Sequence, residues 1–287
     1  MKATLIGRLL APVSLSTFQA KYLNARSLYV RGTPDKFEFL FTKDDFNRGL
    51  DRVTDIRAVF KEFRQAFIRP GDIKDMIRAG ATICVTGMER GNDALGAATK
   101  QIREELGYPG SIDVRAYISP PGKGFEIHYD NRTATTLQIH GTKRWWFTDE
   151  STTPFPTQTS TELTGDQAPK PPRPSRMKSV LMQPGDFLCL PPGVWHRAKA
   201  ETTSLALNLA MNATGMTVLD AVMRTVRPRL ATDVAWRTPL ACGETPAQLP
   251  DDVARDLRER IAKLSEELSR LGSDPAALLQ IWQAVRG

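Results

Sequence analysis

The chain has 287 residues, of which 39 are Lys or Arg and 32 are Asp or Glu, so its formal net charge is +7 with the histidines neutral. A composition of 41% hydrophobic and 25% charged residues is that of a globular protein, and it excludes a disordered chain, a collagen-like repeat and a coiled-coil rod. The length is close to the upper limit of about 250–300 residues for one hydrophobic core, so we expect one large domain with appendages, or one domain plus a small one.

No segment approaches the run of about 18 apolar residues that crosses a bilayer, and the apolar stretch near the N terminus is too short for a secretory signal. We therefore expect a cytoplasmic protein with no membrane contact. The cysteines, Cys84, Cys189 and Cys242, are widely separated and form no Cys-x-x-Cys pair. This spacing predicts buried free thiols and argues against a disulfide framework or a cysteine zinc site.

Positive charge is concentrated only in residues 170–178, which contain no interleaved aromatic residue. This pattern favours a solvated loop over a phosphate-binding site, and we expect no nucleic-acid partner. A basic RNA- or DNA-binding module remains an alternative hypothesis for the function of the chain. It predicts salt-dependent binding that is lost when Arg173, Arg176 and Lys178 are neutralised.

Residues 1–110 mix helical and extended patterns, which predicts an α/β extension without a glycine-rich phosphate loop. Helices are predicted at residues 44–66 and 93–106, and short strands at residues 28–30, 37–41 and 82–86.

Residues 111–212 contain short strand patterns separated by Pro and Gly turns, which is typical of a sandwich, barrel or jelly roll. The strands are predicted at residues 112–118, 124–130, 135–140, 143–148, 179–182, 186–190 and 203–210. Between them, residues 149–178 form a Thr/Pro-rich insertion, and a loop of that length is usually a lid, a binding loop or a disordered segment.

Residues 213–287 are predicted to be helical. Apolar residues from Val253 to Leu271 recur every three or four positions, and a second helix fits residues 275–285. Core packing is the commoner role of such a stripe, and a homodimer contact through these helices is the alternative.

The histidines all fall within the predicted β region. His128 and Asp130 are two residues apart on an extended segment, so their side chains point to one face. His196 follows a turn, a short buried strand and a second turn, which can return a third ligand from a neighbouring strand. Two imidazoles and one carboxylate leave three metal positions open, the arrangement associated with non-haem Fe(II) oxygenases. An isolated His-x-Asp is usually a surface turn or a hydrogen-bonded pair, so the interpretation depends on the accompanying motifs.

Those motifs are Pro184-Gly-Asp186, Pro191-Pro-Gly-Val-Trp-His196 and Gly141-Thr-Lys-Arg-Trp145. With residues 117–130 and 137–146, they resemble the JmjC and cupin-4 branch of the 2-oxoglutarate-dependent oxygenases, which includes ribosomal oxygenases. The specific match covers about residues 112–210. It implies an α+β protein whose core, residues 111–212, is a double-stranded β-helix of the cupin (jelly-roll) type. Residues 1–110 would be its N-terminal extension and residues 213–287 its C-terminal helices.

The resemblance also implies the cofactors: Fe(II) held by His128, Asp130 and His196, with 2-oxoglutarate as cosubstrate and O2. It places Lys143 and Tyr117 at the distal carboxylate of 2-oxoglutarate. A buried carboxylate needs a cation and hydroxyl donors, which agrees with this assignment. Without the resemblance, Lys143 would be interpreted as a surface residue, and for Tyr117 a core aromatic remains an equal alternative.

The positions of four further residues predict their roles. His140 matches no ligand position and is expected to be structural or to line the pocket, with a zinc cupin that uses it as an extra ligand as the alternative. By strand parity, Glu126 and Arg115 are expected to face the pocket, Glu126 pairing with a cationic substrate group. Asn208 belongs to the small, polar face of the last strand, which fits a pocket wall.

The predicted function is hydroxylation of an amino-acid side chain in a peptide or small natural product. Ribosomal-protein hydroxylation is the alternative within the class. We expect it less, because the residues after about 213 are too few for both dimerisation helices and a winged-helix module. The alternative of another class is a non-oxygenase cupin that binds metal.

Overall fold

The computed structural model describes residues 4–213, 216–238 and 249–286, without the side chains of 284–286. The chain divides into two compact units, Met1–Asn212 and Ala213–Gly287. Cys84 and Cys189 are buried and free, as predicted, while Cys242 lies outside the described residues. Within the described ranges, no helix is long and apolar enough to cross a membrane.

The first unit contains six α-helices and twelve strands among its described residues. The helices are α1 Leu5–Leu10, α2 Leu15–Lys21, α3 Lys43–Gly49, α4 Ile73–Arg78, α5 Met88–Gly91 and α6 Asp93–Leu106. The strands are β1 Leu28–Val30, β2 Asp55–Val59, β3 Gln65–Phe67, β4 Thr82–Thr86, β5 Ser111–Ser119, β6 Gly124–His128, β7 Thr133–His140, β8 Lys143–Phe147, β9 Lys178–Met182, β10 Phe187–Leu190, β11 His196–Ala200 and β12 Ser204–Asn212.

These strands form two antiparallel sheets. The major sheet has the order β1-β10-β7-β12-β5-β4-β2-β3, and the minor sheet has the order β6-β11-β8-β9. The sheets pack face to face through a buried cluster that includes Trp145 and Phe147 from the minor sheet and Leu188 and Leu190 from the major sheet. The other face of the major sheet packs against the N-terminal helices in a larger apolar core. The protein is therefore α+β with a cupin jelly-roll core, as predicted.

Residues 93–106 form the predicted helix α6. Asn92 caps its N terminus by accepting a hydrogen bond from the Leu95 amide, and Gly107 ends it in the left-handed conformation. The predicted helix at residues 44–66 is wrong, because only α3 forms there and β2 and β3 follow it. Ile56 and Ala58 alternate into the core at strand spacing, and pairing with β4 decides the conformation of that segment.

The strand predicted at residues 37–41 is also wrong. These residues form consecutive turns, with Phe37, Leu40 and Phe41 buried. A short apolar run has no periodicity, so its sequence pattern cannot distinguish a strand from a buried turn. The strands predicted between residues 111 and 212 are present with shifted ends, and β11 is an additional strand that includes His196.

The predicted N-terminal extension is continuous with the core. Strand β4 pairs with β5, and β1 pairs with β10, so strands from both segments build one sheet. The insertion at residues 149–178 contains only short 3-10 turns, at residues 160–162, 165–167 and 174–176.

The second unit contains α7 Val218–Leu230, α8 Asp251–Ser273 and α9 Pro275–Arg286. Its small hydrophobic core contains Val226, Leu271 and Ala277. Within the predicted apolar stripe, Leu271 is buried, whereas Ile261 is 63% exposed. A dimer contact through these helices stays a prediction.

Candidate metal centre

The three predicted metal ligands lie together between the two sheets. His128 ends β6 and His196 begins β11, and the two residues are paired neighbours in the minor sheet. Asp130 follows β6 by two residues. One ligand atom from each of the three side chains lies within 4.8 Å of the others, with Asp130 Oδ2 at 3.9 Å from His196 Nε2.

Backbone carbonyls orient both imidazole rings. His128 Nδ1 lies 2.8 Å from the Glu126 carbonyl oxygen, and His196 Nδ1 lies 2.9 Å from the Val194 carbonyl oxygen. Because a carbonyl only accepts hydrogen bonds, each Nδ1 carries the proton and donates it. This tautomer leaves the lone pair of each Nε2 free to bind a metal.

The protonation states also favour metal binding. Burial and the neighbouring His128 lower the pKa of His196 to about 4, so its imidazole is neutral at pH 7. Burial would by itself raise the pKa of Asp130. Nearby positive charge, that of Arg132 first, outweighs that effect and holds the pKa of this carboxyl below its usual value. The site thus presents a carboxylate beside the neutral imidazole of His196.

Lys143 is a buried cation, only 1% exposed, at the start of β8. Gly141 precedes it in a tight turn with a φ of 65°, and a Cβ there would lie 2.0 Å from the Thr203 carbonyl oxygen. The Lys143 Nζ donates to Ser119 Oγ at 2.9 Å and forms no ion pair with a carboxylate of the described residues. Burial lowers its pKa to about 8.

Tyr117 lies on β5 beside this lysine, with its ring centroid 6.0 Å from Nζ. Its ring packs edge-on against Phe125 at 5.1 Å, and burial raises the pKa of its hydroxyl. The structure therefore places Lys143 and Tyr117 on the same cavity as the three candidate metal ligands.

Arg115 and Asn208 face each other on neighbouring strands of the major sheet and line this cavity. Asn208 Nδ2 donates to Thr136 Oγ1 at 3.3 Å. Arg115 Nε is buried without a hydrogen-bond partner. A buried unpartnered donor in a cavity of about 280 Å³ indicates a polar ligand.

The expected position of Glu126 in the cavity is wrong. The pairing of β6 with β11 runs from His128 opposite His196 to Phe125 opposite Ala198, so β6 carries one extra residue between these pairs. This bulge reverses the side-chain parity, and Phe125 rather than Glu126 shares the cavity with His128. The Glu126 carboxylate instead accepts a hydrogen bond from the Glu62 amide at 3.1 Å.

Replacing Glu126 with alanine tests this corrected position. We expect a loss of at most about 1 kcal/mol in the free energy of unfolding, because one exposed hydrogen bond is removed, and unchanged Co(II) affinity. Urea unfolding and Co(II) titration measure the two effects, with Glu104→Ala on an exposed face of α6 as the control. A selective loss of cationic-substrate binding would instead support the interpretation from sequence.

His140 lies away from the metal centre. It is exposed at the end of β7 and lines a separate small hollow with Phe37 and Phe41. The alternative in which it acts as an additional zinc ligand is therefore wrong for this geometry.

Other residues of the cavity were not found from the sequence. Phe63, in the turn between β2 and β3, packs edge-on against His128 at 4.9 Å, and Trp145 lies against His196 at 6.0 Å. The insertion also contributes to the wall through Thr159, Thr161 and Glu162, and the Tyr129 amide donates to Ser160 Oγ beside them. The further lining residues are Arg57, Val59, Gln65, Cys84, Thr86, Arg132, Ala134, Thr159, Thr161 and Glu162.

Strand parity could have identified Ser119, which is two residues from Tyr117. No local pattern indicated Phe63 or the insertion, because tertiary pairing brings them to the site.

Comparison with protein-family models shows what this core resembles. Residues 97–219, which include all three candidate ligands, match the model of the JmjC domain. This segment of the chain is similar to a JmjC domain. Its relatives include the uncharacterized protein YxbC of Bacillus subtilis, 25% identical over 263 residues, 80% of this chain and 76% of that protein.

Two other relatives of the JmjC domain have named activities. Ribosomal oxygenase 1 of Gallus gallus is 24% identical over 74% of this chain and 37% of its own length. The bifunctional lysine-specific demethylase and histidyl-hydroxylase NO66 of Drosophila persimilis is 31% identical over 36% of this chain and 14% of its own length. The chain thus spans much less than two thirds of either protein.

Solved structures show the same fold. The ribosomal oxygenase YcfD of Escherichia coli, in complex with cobalt and 2-oxoglutarate, has a TM-score of 0.58 and 16% identity. The likeness covers 96% of this chain and 71% of that one.

Proposed function

We propose that this protein is an Fe(II)- and 2-oxoglutarate-dependent dioxygenase that hydroxylates an amino-acid side chain in a peptide or small natural product. The observation that carries the proposal is the set of His128, Asp130 and His196, whose ligand atoms lie within 4.8 Å of one another while both Nδ1 atoms bind carbonyls. This donor set fits iron, because two imidazoles and one carboxylate suit Fe(II) and leave coordination positions open.

Lys143 supports the assignment of the cosubstrate. A buried lysine without an anionic partner is costly, and the distal carboxylate of 2-oxoglutarate would supply that partner. Ser119 orients Nζ through its hydroxyl, and Tyr117 provides a second hydroxyl on the same cavity. We assign these three residues to binding the far end of 2-oxoglutarate.

When bound, Fe(II) with 2-oxoglutarate and O2 supplies oxidative decarboxylation, giving succinate, CO2 and one oxygen atom for the substrate. The protein's own residues position the reactants and limit the access of water. Phe63, Phe125 and Trp145 place apolar rings around the two histidines. Gln65, Thr161 and Glu162 line the cavity and are exposed to solvent. We therefore assign the opening of the cavity, through which the substrate would enter, to these three residues.

The ribosomal oxygenases among the relatives make a ribosomal protein the alternative substrate. Succinate release tests the activity itself. Purified protein with Fe(II), ascorbate and 2-oxoglutarate is expected to release succinate slowly without substrate, and faster with a substrate that gains one oxygen by mass spectrometry. A protein that binds Co(II) but consumes no 2-oxoglutarate under any of these conditions would instead be a non-oxygenase metal-binding cupin.

A further inference from the structure

A second hollow, of about 550 Å³, lies beside the metal cavity in the first unit. We call it the basic cleft, defined by five cationic side chains: Lys61, Arg64, Lys123, Arg197 and Lys199. Val59 and Phe125 line both the basic cleft and the metal cavity, so the two hollows share a wall. Its volume lies within the range of about 300–1,000 Å³ that is typical of ligand sites.

Strand β11 contributes residues to both hollows. His196, Ala198 and Ala200 face inward and are buried, whereas Arg197 and Lys199 are exposed on the opposite face. The strand that provides a candidate metal ligand therefore also provides two of the cations of the basic cleft.

The positive charge of the basic cleft is only partly balanced by the described part of the chain. None of its five cations forms an ion pair there, although nearby Arg144 pairs with Glu201 at 2.7 Å. Glu126 also lines the cleft and accepts a hydrogen bond from the Glu62 amide, so the lining carries one carboxylate against five cations and stays net positive. Like charges that converge on a concave surface produce a field that attracts an anion.

The aromatic side chains favour a polypeptide over a nucleic acid. Single-stranded nucleic acids bind by stacking bases on free aromatic faces. In the basic cleft, the Arg197 guanidinium lies 4.2 Å from the Trp146 ring centroid and covers it, and Phe125 packs against Tyr117. The third aromatic residue of the lining, Phe60, packs partly buried against the larger apolar core. Charge is therefore the main feature left for a ligand, which suits carboxylates on a flexible chain.

We propose that the basic cleft binds acidic residues of a polypeptide substrate whose target side chain enters the metal cavity. The common wall at Val59 and Phe125 allows one extended ligand to occupy both hollows. The proposal rests on the proposed function in one respect, since it names the class of substrate for that activity. Oxidation should then occur at residues close in sequence to Asp or Glu.

Fluorescence anisotropy with a fluorescein-labelled oligoglutamate peptide tests the proposal on the full chain. We expect salt-sensitive binding that weakens at least about tenfold in the Lys123→Glu/Arg197→Glu/Lys199→Glu variant. The control, Lys170→Glu/Arg173→Glu/Arg176→Glu, changes the net charge equally on the exposed insertion and should lose less than about twofold. Thermal unfolding of both variants verifies that they are folded.

Three results would overturn the proposal: absence of binding to the wild-type protein, equal losses in the two variants, or tighter cleft-dependent binding of an oligouridylate than of oligoglutamate. Wild-type consumption of 2-oxoglutarate separates this proposal from the proposed function. Peptide binding without consumption leaves the cleft as an acidic-peptide site and removes the enzyme assignment. Consumption without peptide binding removes the cleft proposal alone.

Discussion

Replacing Asp130 with alanine is expected to abolish Fe(II)-dependent consumption of 2-oxoglutarate and to weaken Co(II) binding by more than about 100-fold. Loss of a residue that merely supports a ligand costs about 10–100-fold in metal affinity, so loss of a ligand should cost more. Asp130 is also the only carboxylate in the three-residue cluster of the described chain. Its removal would leave two imidazoles beside Arg132, which disfavours a cation.

Isothermal titration with Co(II) and the succinate assay measure these effects. Asp166→Ala is the matched control, because Asp166 is an exposed carboxylate in the insertion. Wild-type Co(II) affinity in Asp130→Ala would show that the metal binds elsewhere. Lost affinity for Co(II) in a protein whose wild type never consumes 2-oxoglutarate would support the metal-binding cupin.

Replacing Lys143 with methionine is expected to stabilise the metal-free protein while it weakens 2-oxoglutarate binding. Burial lowers the pKa of Lys143 to about 8 from an ordinary value of 10.5, so the folded state binds this proton more weakly than the unfolded state. Below pH 8 the full cost of the buried charge is present, about 3 kcal/mol for a shift of this size. Methionine has similar volume and no charge, so we expect a gain of up to about 3 kcal/mol at pH 7.

The sign of the pH dependence follows from the same shift. Between the folded pKa of about 8 and the unfolded pKa of 10.5, the unfolded state binds more protons, so the wild type should gain stability as pH rises. The Lys143→Met variant should lack this gain. The difference between the two proteins isolates the contribution of Lys143 from those of all other titrating groups.

Urea unfolding at pH 7 and at higher pH measures the effect. The five tryptophans lie in both units, so the background should carry Trp236→Phe and Trp282→Phe, leaving the fluorescence of the first unit. A destabilised Lys143→Met variant would contradict the prediction.

Binding of 2-oxoglutarate gives an independent measurement. Loss of a charge-assisted contact should weaken affinity about 100-fold in Lys143→Met. Lys170→Met, at an exposed position, is the control. Wild-type affinity in Lys143→Met would assign the distal carboxylate to another cation of the cavity.

Local sequence was sufficient where the chemistry depends on neighbouring residues in one strand or turn. His128 and Asp130 lie within three residues of each other, and turns on both sides of β10 bring His196 beside them. Lys143 is likewise close to the Gly141 turn that directs it inward. Residues 93–106 were predictable because both helix caps and the apolar face are encoded in one short segment.

The tertiary structure decided what depends on pairing between distant segments. A single extra residue in β6 turned Glu126 out of the cavity, and no periodicity in β6 alone indicates a bulge, since it exists only against β11. Pairing with β4 likewise made residues 55–59 a strand where the sequence predicted a helix. Phe63, the insertion and the basic cleft became neighbours of the metal centre through long-range contacts. The sequence by itself determined the set of candidate metal ligands, because they follow local motifs. The tertiary structure decided which charges surround them, because side-chain direction depends on strand register.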